Sequence, residues 1–411
     1  MATAARTDYD RWLDRGLALD LTRGKPSPEQ LDLANGLLDL PADRTALRTD
    51  KDTRNYGGTA LGLPALREIF SPLLQVPADQ LAAANNSSLE LMYLTVATSF
   101  FDSPATGAPA WKDTSTPTFL CPVPGYDRHF GVCADLGVNM VPVPTTADGP
   151  DMDVVEGLVA DDPSVKGLWL VPKYSNPAGT TCSPEVVRRL AAMPTAAPDF
   201  RVYWDNAYAV HHLTDTPDEL ADLLALAEQA GNPDRAFVFG STSKITFAGG
   251  GVSFVGGSPS NMAWFLKHAA KRTIGPNRIV QLQHAEFFGS PDGVLAHMAE
   301  HRRILEPKFA AVQDALSSRL SGLAKTSWST PHGGYFVSLQ VRPGTAARVV
   351  GLAGDAGVKL TPAGAPFPGG VDPEDSNIRI APSFPSTGEL EQALAVLADC
   401  VVLAAEEADA G

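Results

Sequence analysis

Between about residue 85 and residue 260, short apolar runs alternate with amphipathic stretches, and this alternation restricts the fold more than any other feature. The runs are TPTFLCPVP, NMVPVP, VKGLWLVP, RVYWDNAYA, RAFVFGSTS and GVSFVGG. They are too short for core helices and too continuously apolar for strands wetted on one side, so they predict strands covered on both faces. Between them YDRHFGVCADLG, DVVEGLVADD and SPEVVRRLAAM carry helical spacing, and SSLELMYLTVATSFF opens on serines that suit a helix cap. Strands and helices in alternation predict an α/β fold, with a mostly parallel sheet between helices.

The flanks have a different texture. A helix is predicted over 8–16, followed by the Gly/Pro loop LTRGKPSPEQ and a further helical stretch. Beyond 260, helices are predicted over 261–271 and continuously over 279–320. TSWSTPHGGYFVSLQV, a helix over 346–356, the strand NIRIAPS and a final helix over 387–407 then follow. The expected organisation is a large domain over 51–300 and a smaller α+β domain over 301–411, with segment 1–50 packing on the latter. A length of 411 residues accommodates this arrangement.

Charge and cysteine usage narrow the possible partners. With 32 Lys+Arg against 47 Asp+Glu the net charge is −15, which repels phosphate backbones and anionic lipid heads. Neither nucleic acid nor a membrane is expected as a partner, and any anionic ligand must be gripped locally. Cys121, Cys133, Cys182 and Cys400 show no CxxC or metal-ligand spacing, so they read as core residues and no metal site is expected. The opening MATAARTDYDRWLDRG lacks a signal-peptide core, and no run approaches the roughly eighteen apolar residues of a membrane helix. These features predict a cytoplasmic protein.

Several motifs lead nowhere. Ser241-Thr242-Ser243-Lys244 matches SxxK, but it ends a predicted strand and no KTG accompanies it. His332-Gly333-Gly334 has no GxSxG partner, and Gly249-Gly250-Gly251 is not followed by the Lys-Ser/Thr of a phosphate loop. His211-His212 lacks further ligands at metal spacing.

What remains is a series of polar residues at the carboxyl ends of predicted strands, where α/β sheets bind ligands. In order they are Asn85-Asn86-Ser87-Ser88, Pro124-Gly125-Tyr126, the turn Tyr174-Ser175-Asn176-Pro177-Ala178-Gly179, Asp205-Asn206-Ala207-Tyr208, Ser241-Thr242-Ser243-Lys244 and Arg379. In this order and combination the chain resembles the fold-type I pyridoxal-phosphate enzymes of the aspartate aminotransferase superfamily over nearly its whole length. NNSSLE, YSNPAG and STSKITFAGGGVSF are similar to the aminotransferases grouped with the MocR-like proteins, whose free-standing members include aspartate aminotransferases. RGKP is reached by residue 26, so the DNA-binding domain that a MocR regulator carries ahead of this part is not expected.

The resemblance implies a fold-type I architecture with a seven-stranded type of sheet, pyridoxal 5'-phosphate as cofactor, and a role for each residue. Lys244 would form the internal aldimine and shuttle the substrate proton. Asp205 would pair with the pyridine nitrogen and keep the ring an electron sink. Tyr208 and Asn176 would donate to the phenolate, and Tyr126 would stack on the ring. Ser87 and Ser88 at a helix start, with Ser241 and Ser243, would cradle the phosphate. Tyr56 in RNYGGTALG resembles the tyrosine that reaches the neighbouring subunit's phosphate, which implies a homodimer with shared sites. Arg379 would clamp the substrate α-carboxylate, aided by Asn176 and the backbone near Gly24.

One departure and one choice follow. Many relatives carry a phosphate-binding Arg eight residues after the lysine, whereas position 252 is Val. For a dicarboxylic substrate, Arg272 is the candidate for the distal carboxylate, with Arg23 and Lys25 as rivals. Aspartate with 2-oxoglutarate is the leading substrate pair. A lyase on the same fold and a non-catalytic ligand-sensing domain are the alternatives.

Overall fold

The apolar runs assemble into a single eight-stranded sheet in the computed structural model, which describes residues 3–48, 52–56 and 58–410. The strand order is Leu81–Ala83, Ser253–Gly257, Ala236–Ser241, Arg201–Asp205, Val165–Leu170, Thr118–Val123, Asn139–Thr146 and Gly149–Pro150. The five strands from Ala236–Ser241 to Asn139–Thr146 are mutually parallel. Ser253–Gly257 runs antiparallel to both its neighbours. The loop 242–252 that feeds it contains no helix, so the long crossover a parallel return requires is absent. That short return keeps Lys244 at the carboxyl edge of the sheet.

Strand residues alternate between two cores, as a fully covered sheet requires. Leu168, Leu170, Val202, Trp204 and Val238 face the core shared with helices Pro64–Leu74, Met152–Asp161 and Pro184–Ala192. Trp169, Tyr203, Phe237 and Phe239 face the one shared with Ser88–Ser99, Asp127–Leu136 and Pro259–Arg272. Each fully buried apolar side chain of this size contributes about 1.5–3 kcal/mol, so a slip of one residue in register would be prohibitive. Cys182 lies in the first of these cores and Cys121 and Cys133 in the second, and all four cysteines are buried and unpaired.

A third core joins the two ends of the chain. Tyr9 of helix Ala4–Leu13 donates to the Leu352 carbonyl at 3.0 Å, and Trp12 donates to Asp399 of helix Thr387–Ala410 at 2.8 Å. Leu19–Asp20 pairs in parallel with Val358–Lys359. Beside them Ser327–Trp328, Val337–Gln340 and Asn377–Ile380 form an antiparallel sheet. The loop carrying Gly24 is thereby held next to the strand carrying Arg379.

Two helix boundaries differ from expectation. The first helix is Ala4–Leu13 rather than 8–16, because the Thr3 hydroxyl accepts the Arg6 N–H and starts it earlier. The run over 279–320 is two helices, Arg278–Phe288 and Pro291–Leu320. Gly289 at φ 68° ends the first, while Ser290 caps the second with Pro291 in its first turn. A boundary at residue 300 therefore falls within one helix. The 50/51 boundary and Gly57 of RNYGG lie outside the described residues. Among the described residues no helix is long and apolar enough to cross a membrane, and no cluster of three or more His, Cys, Asp and Glu could hold a metal.

Candidate active site

Strand ends and loop starts converge on a cavity of about 240 Å³. Its lining includes Ser87, Ser88, Tyr126, Asn176, Asp205, Tyr208, Ser241, Ser243 and Lys244, which are the residues singled out from the sequence for the cofactor, except Tyr56. The parallel strands bring Asp205 and Ser241 to the same edge, and the helix start at Ser88 closes the cavity at one side.

Asp205 sets the electrostatics. It is buried, and its Oδ2 lies 3.0 Å from His129 Nε2 while its Oδ1 has no partner. His129 is fixed in turn by a parallel stack on Trp169 at 4.6 Å and an edge contact with Tyr126 at 4.9 Å. A buried carboxylate oxygen left without a donor is costly. Here it belongs to a residue that lines the cavity, where a protonated heterocycle would satisfy it. Sequence reasoning missed His129. The available signal was a histidine three residues after Tyr126 on the buried face of its helix.

Lys244 Nζ has no hydrogen-bond partner among the described residues and sits 5.0 Å from the Tyr208 ring centroid. Withdrawal from water lowers its pKa, and the charge of Asp205 partly offsets this. An amine that loses its proton more readily is better suited to capturing an aldehyde. Burial raises the Tyr208 hydroxyl well above its usual pKa, with smaller contributions from Tyr126 and Asp205. Tyr126 is pushed up to about 12, by burial first and then by Asp205 and Asp127. Both phenols therefore remain hydrogen-bond donors at neutral pH.

The opposite side of the cavity suits an anion. Ser87 caps helix Ser88–Ser99, and its hydroxyl accepts the Glu90 N–H at 3.2 Å. The N–H groups of the first helical turn have no intrahelical acceptors. Loop 242–252 is tied to this turn, because Ser243 donates to the Asn86 carbonyl and Ser253 donates to the Asn85 carbonyl. Val252 supplies no cation; it is buried, and its N–H donates to Thr242 Oγ1 at 2.9 Å. Exposed charges are screened beyond about 8 Å at physiological ionic strength. The net charge of −15 therefore matters less here than the local donors.

Arg379 reaches the site through Asn176. Its Nη1 lies 3.4 Å from Asn176 Oδ1 and 3.1 Å from Asp127 Oδ1, its Nη2 donates to Thr361, and its Nε has no partner. Its guanidinium lies 5.0 Å from the centroid of Phe336. A Cβ at Gly24 would sit 2.3 Å from that same ring, so glycine lets the N-terminal loop pack directly on the ring that Arg379 faces. His332-Gly333-Gly334-Tyr335 forms the turn behind it, where Gly333 packs against Tyr174.

Three expected residues lie elsewhere. Arg272 does not line the cavity; it ends helix Pro259–Arg272, exposed, with its guanidinium 5.7 Å from the Phe265 ring. Lys25 lies over Phe384 at 3.7 Å. Tyr56 is 82% exposed and lines a separate surface cleft with Thr273 and Ile274. The histidine pair is used internally, with His211 Nε2 facing the Lys244 carbonyl, its Nδ1 buried without a partner, and His212 facing the Tyr174 hydroxyl.

A doubly covered sheet with a lysine, an orphaned carboxylate oxygen and a helix start on one cavity defines the class, a fold-type I aminotransferase dependent on pyridoxal 5'-phosphate. Residues 1–411 match the aspartate amino-transferase family, and the chain belongs to it. It is 50% identical over 400 residues to the aspartate aminotransferase of Corynebacterium glutamicum, covering 97% of this chain and 92% of that one. A crystal structure of an aspartate transaminase from C. glutamicum superposes with a TM-score of 0.94 at 49% identity, covering 98% of this chain and 95% of that one. An α-aminoadipate aminotransferase from Thermus thermophilus, complexed with N-(5'-phosphopyridoxyl)-L-leucine, shares the fold with a TM-score of 0.76 at 20% identity, over 96% and 95% of the two chains. Transamination is thus the reaction class, in preference to the lyase and sensing alternatives.

Proposed function

We propose that this protein transfers the amino group of aspartate to 2-oxoglutarate, in two half-reactions at the cavity around Lys244. The observation that carries this reading is the placement of Lys244, with its lowered pKa, and the unpartnered Oδ1 of Asp205 on one cavity, with Arg379 reaching it through Asn176. The aspartate pairing is supported by the name of the C. glutamicum relative.

Pyridoxal phosphate bound here supplies an aldehyde for the substrate amine and an electron-withdrawing ring. The chain's own residues would do the rest. Asp205, oriented by His129, would hold a proton on the ring nitrogen. Tyr208 and Asn176 would donate hydrogen bonds to the ring oxygen, and Tyr126 would cover the ring face. Ser87, Ser88, Ser241 and Ser243 would hold the phosphate, taking over the part a cation at 252 would have played. Arg379, with the Gly24 backbone, would orient the α-carboxylate so that the Cα proton faces Lys244, which would move it.

We place the residues that do not line the cavity across a subunit interface. Tyr56 and Ile274, 82% and 71% exposed, line one surface cleft, which fits a homodimer in which Tyr56 reaches the partner's site. Arg272, two residues from Ile274, would then serve the distal carboxylate from the same interface. The division into segment 1–50, a large domain over 51–300 and a small domain over 301–411, membership of the free-standing MocR-like group, and a cytoplasmic location complete the proposal.

The test is a half-reaction screen. Holoenzyme mixed with single amino acids, and no oxo acid, is expected to lose its visible cofactor absorption with aspartate and glutamate. Failure of every amino acid to produce that change would sink the reading, and release of ammonia without an acceptor would mark a lyase.

A further inference from the structure

Beneath Lys244 lies a buried polar network that the chemistry above does not use. Lys244 and Ile245 occupy the tight turn after strand Ala236–Ser241. Their carbonyls are taken up by side chains from distant parts of the chain. His211 Nε2 lies 3.3 Å and the Tyr335 hydroxyl 3.4 Å from the Lys244 carbonyl. His297 Nε2 lies 2.7 Å from the Ile245 carbonyl and 3.1 Å from His301 Nε2.

Both branches begin at Gln30, which is fully buried. Its Oε1 accepts the Ser27 N–H at 3.1 Å, in a capping box that starts helix Pro28–Asp32. That contact settles the amide orientation and turns Nε2, with its two hydrogens, toward His301 Nδ1 and the Tyr335 hydroxyl, each at 2.9 Å. Donation by Gln30 commits the Tyr335 hydrogen to the Lys244 carbonyl. It also leaves neutral His301 with its hydrogen on Nε2, directed to the Ile245 carbonyl alongside that of His297. Burial keeps these histidines neutral, with His301 pushed down to about 4. The directions of the Tyr335 and His301 hydrogen bonds are therefore set from Gln30.

Gln30 follows closely on the Gly24 loop, and Ser383 donates to the Lys25 carbonyl from just beyond the Arg379 strand. The geometry points to Gln30 as a positioning residue that locks the Lys244 peptide to the segment gripping the substrate carboxylate. The inference rests on the reading of Lys244 as the cofactor-binding lysine. Neither Gln30 nor Tyr335 touches the cavity; they act through the turn. The consequence is that carboxylate binding at the N-terminal loop and the aim of Lys244 are coupled.

The test compares Gln30→Met, Tyr335→Phe and the double variant as holoenzymes, with Lys244→Ala as reference. A small misplacement of a catalytic group costs up to about 100-fold, so each single variant is expected to lose tenfold or more in kcat. KM for the amino donor should stay within about twofold, with visible cofactor absorption retained. Because Gln30 acts partly through Tyr335, the double variant should lose much less than the product of the single losses. Single variants that keep kcat within twofold while Tm drops would reduce the network to a stabilising one. Losses that multiply in the double variant would overturn the shared path. Should Gln30→Met fail to fold, Tyr335→Phe, which removes one hydroxyl, decides by its kcat alone. Lys244→Ala that keeps the visible absorption would overturn the reading of Lys244 itself, a separate failure.

Discussion

The two halves of the site are built differently. The half that faces the ring and phosphate is assembled from strand ends and helix starts around one sheet, with Asp205 and Ser241 on neighbouring strands and Lys244 in the turn just beyond. The half that would hold the substrate draws on the Gly24 loop, Asn176 and Arg379, from three distant stretches of sequence. The first rests on the sheet through the strands that carry Asp205 and Ser241. The second depends on packing of the chain ends, and its Arg379 already faces the Asp127 carboxylate at 3.1 Å. Substrate must therefore compete for a guanidinium that is partly engaged.

This contrast predicts a graded set of losses. Lys244→Ala should fold and lose visible cofactor absorption, with the half-reaction slowed by about 10⁴-fold, the upper range for removing a proton-transfer group; stopped-flow absorbance checks this. His129→Leu should be milder, about 10–100-fold in kcat, by analogy with partners that orient a primary ligand. Its Tm should also fall, because the buried Asp205 carboxylate is left alone. On the substrate side Arg379→Lys should act mainly on KM. Losing a two-pronged, charge-assisted contact of about 1.5–3 kcal/mol raises KM roughly 10–100-fold. Asp127→Asn should move KM the other way, lowering it about threefold by freeing Arg379 from a partly exposed competitor, within the range of weak ion pairs. A KM that rises in Asp127→Asn would show that the carboxylate orients Arg379 and does not compete with the substrate.

Acid should weaken the protein through its buried histidines. His301 is held near 4 when folded and near 6.5 when unfolded. Between those values the unfolded chain binds more protons, so stability falls as pH drops from about 6.5 toward 4. Urea unfolding at pH 7 and pH 5 should show the lower pH to be less stable, with His301 contributing on the order of 1–2 kcal/mol.

The sequence exposed the first half of the site far better than the second. The apolar runs placed the strands, and strand ends placed Asp205 and Lys244, since period and polarity change locally at those points. Ser253–Gly257 was legible as a strand, but its antiparallel direction depends on a helix missing from loop 242–252. His129 stayed hidden because a histidine on an apolar helix face looks like any core histidine until Asp205 is seen opposite it. Gln30, His301 and Tyr335 were beyond reach for a plainer reason. Their contacts join residues 271 and 305 positions apart, and no local pattern encodes such a pairing. Arg272 was legible as a candidate cation, but its place at the exposed end of helix Pro259–Arg272, outside the cavity of its own chain, was not.

The most direct measurement of the central claim follows the nitrogen itself. Holoenzyme is supplied with ¹⁵N-aspartate and unlabelled 2-oxoglutarate, and the products are read by mass spectrometry. The account predicts ¹⁵N in glutamate together with an equal amount of oxaloacetate, and both products formed about 10⁴-fold more slowly by Lys244→Ala. Label appearing in ammonium, or glutamate that stays unlabelled while oxo acid accumulates, would contradict it.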